Sequence, residues 1–493
     1  MGLSDAISVE LTPLGMPYLV ICAVILVLRP AWLVPFLIVA AVLHAPAVAI
    51  LHVGDSPSAI GLSPWLLAST AVIVHLAWRL VVDKGLGFQG DPQIRVLLIG
   101  WSILVALAVL GAFVLPHVFE GTMVYSLANR HGVDAPTTPL GWSLVNGVQA
   151  FNLGVYWLLL LYMAKASQQG GFVRRAGAGF AIAIAASVGL SLYQRGVHVH
   201  LLPNLDWFAD SLNPSYVQVT GGGLSIRRLP WPFSESSYAS VWFAAVYGGG
   251  LSVLLLTRRW LLGGLCVAAG IVGMLNALGT AGLASAGMIS VILALMAVKK
   301  HRDTISRDGS MHHALPWKQL VLSIAIVLVA ALLALELSGL GSPLAIWQKL
   351  ILPRLLGEGA SGLHRATSNW HALELVVQTY GLGTGLGSNR ASSYALSMLS
   401  NLGVILTLEF VGLIGYQVWL LLVRTQHAAL SLFLVFGGLT SFIGICLAIP
   451  DFSWPAWWVW VLCIFAMAAR ARPAAKTRLH PTAVTTEPQK PST

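Results

Sequence analysis

The chain has 493 residues, of which 57% are hydrophobic and only 9% are charged. Soluble globular domains average about 25% charged residues, so this composition excludes an ordinary soluble protein. A formal net charge of +10 is sometimes the mark of a nucleic-acid-binding protein. No basic–aromatic module and no nucleotide-binding glycine loop accompanies it here, so no nucleic acid is expected among the partners.

Apolar stretches of roughly 20 residues predict transmembrane helices. They lie near residues 14–28, 31–51, 65–82, 95–116, 141–164, 176–193, 237–257, 260–278, 281–298, 319–340, 394–423, 430–449 and 455–469. The pattern predicts an all-α polytopic membrane protein with about 12–14 transmembrane helices, folded as one bundle over residues 1–469. Packing inside this bundle is the expected role of the four cysteines, which have no CxxC pair: Cys22, Cys266, Cys446 and Cys463.

Lysine and arginine crowd into alternate loops, which predicts that these loops face the cytoplasm. Residues on this side include Arg79, Lys165, Arg259 and Arg424. The tail, residues 470–493, falls on the same side and has the composition of a disordered segment. Two long loops, residues 194–236 and 341–393, are then external, and we expect them to form the active site.

Eight basic residues fall on the external side, where the positive-inside rule disfavours them. They are Arg130, Arg195, Arg227, Arg228, Lys349, Arg354, Arg365 and Arg390. Arginine grips phosphate with two parallel hydrogen bonds and keeps its charge. The arginines therefore predict a site for a diphosphate, and the alternative is that they extend to lipid headgroups.

The first external loop ends in RRLPWPFSESSYASVWFA, which begins at Arg227 and leads into a predicted span. Its two arginines, Arg227 and Arg228, are candidates for binding phosphate. The alternative is a helix start capped by Ser234 or Ser236, with interfacial aromatic residues.

The second external loop contains HRATSNWHALELVVQT. On a helix, Arg365 and Asn369 share one face, as do His371 and Glu374. A His–Glu pair three residues apart can hold the imidazole in one tautomer and make it a base. The alternative is an ordinary amphipathic interfacial helix. The spacing of the two histidines fits no common metal-binding helix, so no metal is expected.

The same loop continues with GLGTGLGSNRASS. Its glycines predict a tight chain reversal that brings backbone N–H groups near an anion, together with Arg390, although a plain loop has a similar composition. A second small-residue stretch, from Gly279 to Gly287, predicts close helix packing.

These elements resemble the O-antigen polymerase and O-antigen ligase superfamily, and within it the exopolysaccharide polymerases. The resemblance covers about residues 220–425 and rests on the order of R-R-L-P-W-P-F-S-E-S-S-Y, S-G-L-H-R-A-T-S-N-W, G-L-G-T-G-L-G-S-N-R-A-S-S and S-N-L-G-V-I-L. Ligases tend to show a His-Asn pair after the glycines. This chain has Ser388-Asn389 there, which favours a polymerase.

The resemblance implies a multi-pass protein of the bacterial inner membrane that acts on the periplasmic side. It would join oligosaccharide repeat units carried on undecaprenyl diphosphate, with inversion at the anomeric carbon and no metal or other cofactor. The leaving diphosphate needs cationic stabilisation and the acceptor hydroxyl needs a base. The expected partners are this lipid-linked oligosaccharide, the bilayer, and a chain-length regulator or export complex.

Residue roles follow from matching these motifs. Arg365 and Arg390 are the first candidates for the diphosphate, and His371 or Glu235 is the candidate base. The further substrate-binding candidates are Arg227, Arg228, Asn369, Ser388, Asn389, Ser392 and Tyr238.

Two other functions compete with a polymerase. A ligase would transfer a finished glycan to a lipid or protein acceptor, and only the acceptor distinguishes it. A flippase would carry the lipid-linked glycan across the membrane, and it should show broken helices, related halves and polar groups near mid-membrane.

Overall fold

The computed structural model describes residues 7–53, 59–83, 91–125, 137–213, 229–257, 259–308, 360–424 and 428–470, and the chain is mostly helical. Its first half contains β1 (Ile7–Leu11), α1 (Gly15–Leu28), α2 (Leu33–Val42), β2 (Ala49–Val53), β3 (Ala59–Leu62), α3 (Pro64–Val82), α4 (Pro92–Val118), β4 (Met123–Val124), β5 (Thr138–Pro139), α5 (Leu144–Ser167), α6 (Phe172–His198) and α7 (Asp206–Ala209). Its second half contains α8 (Ser236–Leu256), α9 (Trp260–Ala277), α10 (Thr280–Asp308), α11 (Ala360–Gln378), α12 (Tyr394–Arg424), α13 (Ala428–Ala448) and α14 (Pro455–Arg470).

Nine helices among the described residues are long and apolar enough to cross a membrane: α3, α4, α5, α6, α8, α9, α10, α12 and α13. Each coincides with a stretch that hydropathy predicted as a span. They indicate a multi-pass membrane protein. The predicted span at 319–340, the loop residues 214–228 and 341–359, and the tail 471–493 lie outside the described residues.

The first two predicted spans form a short helical hairpin instead of two full crossings. Helices α1 and α2 are about 21 and 15 Å long at 1.5 Å per residue, whereas the apolar core of a bilayer is about 30 Å thick. The predicted span 31–51 is wrong in its second half, because α2 ends at Val42 and residues 49–53 form β2. Strand β2 pairs antiparallel with both β1 and β3, and an all-α fold did not predict this sheet.

One end of the bundle gathers basic residues from several predicted cytoplasmic loops. Asp83 forms ion pairs there with Lys165 (2.8 Å) and Arg79 (3.1 Å), and Arg424 pairs with Asp91. These residues lie at ends of α3, α4, α5 and α12, which the charge pattern had assigned to one side. We call this the basic end. The opposite end, where α4 and α6 finish and α8 and α12 begin, is called the site end.

Small residues bring the central helices close together. Added Cβ atoms at Gly279 and Gly282 of the α9–α10 segment would overlap Ser240 on α8, and one at Gly273 would overlap the ring of Phe243. The close packing predicted for the stretch that starts at Gly279 is therefore confirmed.

Cysteine labelling tests the orientation. Thr367 is exposed on α11 at the site end. Gly170 is exposed in the α5–α6 turn at the basic end, and a Cβ added to Gly170 would lie in open space. We expect a membrane-impermeant maleimide to label Thr367→Cys in intact spheroplasts and Gly170→Cys only after permeabilisation, because basic loops stay in the cytoplasm. The reverse pattern would contradict the orientation.

Candidate active site

A break in helix α12 organises the candidate site. Gly403 has φ 76° and ψ 177°, a conformation that is essentially restricted to glycine. The break releases the carbonyl groups of the preceding turn. Ser400 O accepts from the N–H of Thr384 (2.8 Å), and Asn401 O accepts from the N–H of Gly385 (3.0 Å). The glycine-rich loop thus supplies the donors that the interrupted helix lacks.

The part of α12 that follows the break is long enough to cross a membrane by itself, so we expect the break at the membrane boundary rather than in mid-membrane. The 21 residues from Val404 to Arg424 make a helix of about 31 Å, which alone crosses an apolar core of about 30 Å. The first turns of α12, before Gly403, therefore rise above this core. The glycine-rich loop packed against them lies at the same level.

The alternating glycines of this loop all have positive φ, a region that disfavours other residues. The angles are 78°, 83°, 92° and 87° at Gly381, Gly383, Gly385 and Gly387. An added Cβ at Gly383 would come within 2.7 Å of Asn401 O, and one at Gly385 within 2.8 Å of Gly111 O. The glycines thus let the loop thread between α4 and α12.

Asn401 holds the end of the loop with its whole amide group. Its Oδ1 accepts from the N–H groups of Ser388 (3.0 Å) and Asn389 (2.9 Å), and its Nδ2 donates to the carbonyls of Ser397 (2.6 Å) and Asn389 (2.8 Å). Asn401 is buried. A buried amide with all its hydrogen bonds made fixes its partners firmly, because losing any one leaves a polar group unsatisfied.

Two residues predicted to bind substrate are used inside this network. Asn389 is fully buried, accepts from Tyr125 N (3.1 Å) and donates to Ser400 Oγ (3.0 Å). The Ser388 hydroxyl accepts from Asn146 Nδ2 (2.8 Å) and donates to Thr384 O (2.9 Å). Their side chains anchor the loop, and a role for them in substrate binding stays a prediction.

Most backbone N–H groups of the loop are also occupied. Those that donate within the protein belong to Gly381, Leu382, Gly383, Thr384, Gly385, Ser388, Asn389, Arg390, Ser392 and Ser393. The expectation that the loop presents these groups to an anion is therefore wrong for these ten positions. Their partners belong to the end of α11, the loop itself, the turn before the break in α12, Asn369 and Tyr125.

Helix α11 is fastened to the start of α12 through one flank. Asn369 Oδ1 accepts from the N–H groups of Ser392 (2.9 Å) and Ser393 (3.0 Å), and the hydroxyls of Ser368 and Ser392 are 2.9 Å apart. Asn369 and Ser392, both predicted to bind substrate, thus meet each other in a junction that we call the α11–α12 junction.

Helix α11 has two apolar faces. Ala372 and Leu375 are buried, and Leu375 packs with Val124 of β4. The opposite face exposes large side chains, among them Trp370 at 66% and Val377 at 76% exposure. An exposed apolar face on a helix at the membrane boundary is typical of an interfacial helix.

Arg365 and Arg390 both lie close in sequence to the α11–α12 junction. Arg365 is exposed one helical turn before Asn369, and Arg390 is half-buried two residues before Ser392. The backbone of Arg390 is fixed, since its N–H donates to Tyr125 O (2.9 Å). Neither guanidinium group has a hydrogen-bond or ion-pair partner among the described residues. Both charges are therefore available to a ligand.

His371 is placed differently from a free base. Its Nε2 lies 2.9 Å from Met123 O, and its Nδ1 lies 3.5 Å from Glu374 Oε2, as the predicted His–Glu pair requires. The ring also contacts Tyr125 edge-on, with centroids 5.2 Å apart. Both ring nitrogens thus face acceptors within the protein, and His371 as the base stays a prediction.

The segment predicted to end the first external loop, which leads into α8, lies at the same end of the bundle. Glu235 is exposed and is itself the N-cap residue of α8, where either Ser234 or Ser236 was expected, and it accepts a hydrogen bond from Ser237 Oγ (3.1 Å). Ser234 instead lies 2.9 Å from Nδ1 of His44. Arg227 and Arg228 lie outside the described residues.

Residues 450–454 lie between the start of α8 and the start of α12. Tyr238 contacts Trp454 edge-on, with ring centroids 5.4 Å apart, and Tyr394 stacks on Phe452 at 5.9 Å. One short segment between α13 and α14 therefore touches the start of α8 on one side and the start of α12 on the other.

Sequence reasoning missed the roles of Asn401 and Asn146, polar residues within predicted spans that hold the loop. Arg195, predicted on the external side, is instead buried near the end of α6 and donates from Nε to Asn276 Oδ1 (3.2 Å). The available signal was polarity itself, because asparagine and arginine in a span are costly unless they have partners.

Comparison with known proteins adds no relative. No family model matches the chain, and no match was found among curated proteins or solved structures. The likeness to the O-antigen polymerase and ligase superfamily therefore rests on the motifs alone. Among the described residues, no group of three or more His, Cys, Asp or Glu side chains could hold a metal ion.

Substitution of Gly403 tests the break. We expect Gly403→Ala to lower stability by at least about 1–3 kcal/mol, the cost of forcing a side chain into this backbone conformation, with further loss because the new Cβ would overlap Gly381 O. Thermal unfolding in detergent measures the change. Gly412→Ala is the matched control, because Gly412 is a helical residue of α12 with open space around an added Cβ. Equal unfolding temperatures for the two variants would contradict the described break.

Proposed function

We propose that this protein is a polysaccharide polymerase that joins lipid-diphosphate-linked oligosaccharide repeat units at the external face of the bacterial inner membrane. The activated bond travels with the lipid, so no nucleotide is needed on that side. The motif resemblance gives the substrate class. The charge pattern of the loops gives the orientation.

The observation that carries this proposal is the pair of unpartnered arginines beside the α11–α12 junction. Arg365 and Arg390 come from two segments that Asn369 and Ser368 fasten together. The length of α12 after its break supports a position for both just above the apolar core, where a lipid diphosphate would sit. Two guanidinium groups can grip the oxygens of one diphosphate.

The reaction is a displacement at the anomeric carbon of the donor sugar. A hydroxyl oxygen of the acceptor unit forms the new bond, the bond from this carbon to the diphosphate oxygen breaks, and the electron pair leaves with the diphosphate. Negative charge grows on the leaving group in the transition state. Fixed cationic donors stabilise it more than the ground state, which lowers the barrier.

The rival functions differ in the acceptor that the site end would bind and in where polar groups would lie in the membrane. A ligase would use the same diphosphate site with another acceptor. A flippase would place polar groups and broken helices near mid-membrane. The break in α12 at the membrane boundary favours chemistry on the external face over transport.

The product identifies the function. Purified protein in lipid nanodiscs is incubated with a lipid-diphosphate-linked repeat unit and no nucleotide or added metal. A ladder of lipid-linked products that grows by whole repeat units supports the polymerase. A single transfer to a different acceptor lipid supports a ligase, and unchanged substrate moved across vesicles supports a flippase.

Arg365 is the first residue to test by substitution. We expect Arg365→Ala to reduce turnover about 10²–10³-fold, by analogy with the loss of one donor to a developing oxyanion. Arg365→Lys should recover little, because a point charge cannot replace a two-pronged grip. Initial rates of ladder formation measure both. The unfolding temperature should hardly change, since an exposed arginine contributes little to folding.

Arg95 provides the matched control for this substitution. It is exposed like Arg365 but lies at the start of α4, at the basic end. We expect Arg95→Ala to keep wild-type turnover. Normal turnover of Arg365→Ala together with reduced turnover of Arg95→Ala would contradict the proposal, because it would indicate a diphosphate site at the basic end.

A further inference from the structure

A small, partly open recess with both polar and apolar lining lies beside the anchored loop at the site end. Its walls come from α5, the glycine-rich loop, the start of α12 and residues 450–452. Its polar lining includes Gln149, Asn389, Tyr394, Asn401 and Asp451. Its cavity volume is about 20 Å³, which admits one water molecule or one hydroxyl group.

The recess contains acceptor atoms without donors. Gln149 Oε1 is buried and has no hydrogen-bond partner among the described residues. Asp451 accepts two hydrogen bonds from Ser453, from its N–H (2.9 Å) and its hydroxyl (2.8 Å), and both reach Oδ1. Oδ2 of Asp451 makes no hydrogen bond within the described part of the chain. A buried acceptor such as Gln149 Oε1 ordinarily has a partner, and the half-buried Asp451 adds an unused carboxylate oxygen to the same recess. The recess therefore suits a ligand that brings an O–H group.

Asp451 lines the same recess as Gly387 and Asn389 of the anchored loop. The segment that carries it touches the start of α8 through Trp454 and the start of α12 through Phe452. By contrast, both ring nitrogens of His371 already face Met123 O and Glu374.

We infer that this recess receives the acceptor-sugar hydroxyl and that Asp451 is the base that takes its proton. The hydroxyl enters between Gln149 and Asp451, and its proton passes to the Asp451 carboxylate. The freed electron pair forms the bond to the anomeric carbon as the diphosphate leaves with the electrons of the broken bond. A carboxylate is an accepted general base for such a step. This inference rests on the proposed function and locates the acceptor within the same site.

Asp451→Asn tests the inference in the nanodisc assay with the lipid-diphosphate-linked repeat unit. Asparagine can still accept the two hydrogen bonds from Ser453, so the turn should survive. We expect kcat to fall about 10²–10⁴-fold, the usual contribution of a general base. The Kd for the donor lipid should match that of the wild type, since the arginines hold its diphosphate. Asp210→Asn, an exposed carboxylate at the same end, should keep wild-type kcat and Kd.

Gln149→Leu is a second variant that tests the acceptor site without changing the Asp451 carboxylate. Loss of one hydrogen bond to the acceptor hydroxyl should lower kcat/KM about 3–10-fold and leave donor binding unchanged. This variant decides the matter if Asp451→Asn unfolds at a lower temperature than the wild type.

The possible results distinguish a failure of this inference from a failure of the proposed function. A wild type that builds the ladder while Asp451→Asn builds it at a similar rate overturns the inference and leaves the polymerase standing. Loss of donor binding in Asp451→Asn also overturns it, because the carboxylate would then hold substrate. A wild type that neither binds nor converts the donor lipid defeats the proposed function and the inference with it.

Discussion

The interruption of α12 at Gly403 is the constraint on which the candidate site depends. A helix broken at the membrane boundary exposes backbone carbonyls that cannot be left without donors. The glycine-rich loop supplies these donors through Thr384 and Gly385, and Asn401 then fixes the end of that loop with all of its own hydrogen bonds. Each glycine of the loop has the backbone conformation that lets the chain come this close. The result is an irregular segment held rigidly where the apolar core ends.

This rigid segment fixes the backbone of the site but leaves some of its polar side chains without partners among the described residues. Tyr125 fixes the backbone of Arg390, and Asn369 fastens α11, which carries Arg365, to the start of α12. The guanidinium groups have no partners among the described residues, so their charges are not neutralised by the protein itself. An anchored backbone with unpaired cationic side chains is suited to a multiply charged anion, because little reorganisation is needed when the anion binds or leaves.

Hydropathy predicted the nine long spans found in the described part of the chain, because each is a local property of about 20 consecutive residues. It could not predict the α1–α2 hairpin, since β1 pairs with β2 across some 40 residues of sequence and that pairing decides where the second predicted span stops. The glycine repeat was visible in the sequence, but its role was not. Whether its N–H groups meet an anion or the broken end of a helix depends on a break at Gly403 that no local pattern announces. Asp451 was missed for a similar reason, because one carboxylate between two spans is unremarkable until the fold brings the loop beside it.

The most direct test of this account is a cryo-EM structure of the protein in nanodiscs with a bound undecaprenyl-diphosphate lipid. The account predicts that the diphosphate lies at the site end, just above the apolar core, with its oxygens in hydrogen-bond contact with the guanidinium groups of both Arg365 and Arg390. Its polyprenyl chain should run down into the bilayer. A diphosphate bound in mid-membrane, at the basic end, or at the site end without either arginine would contradict it.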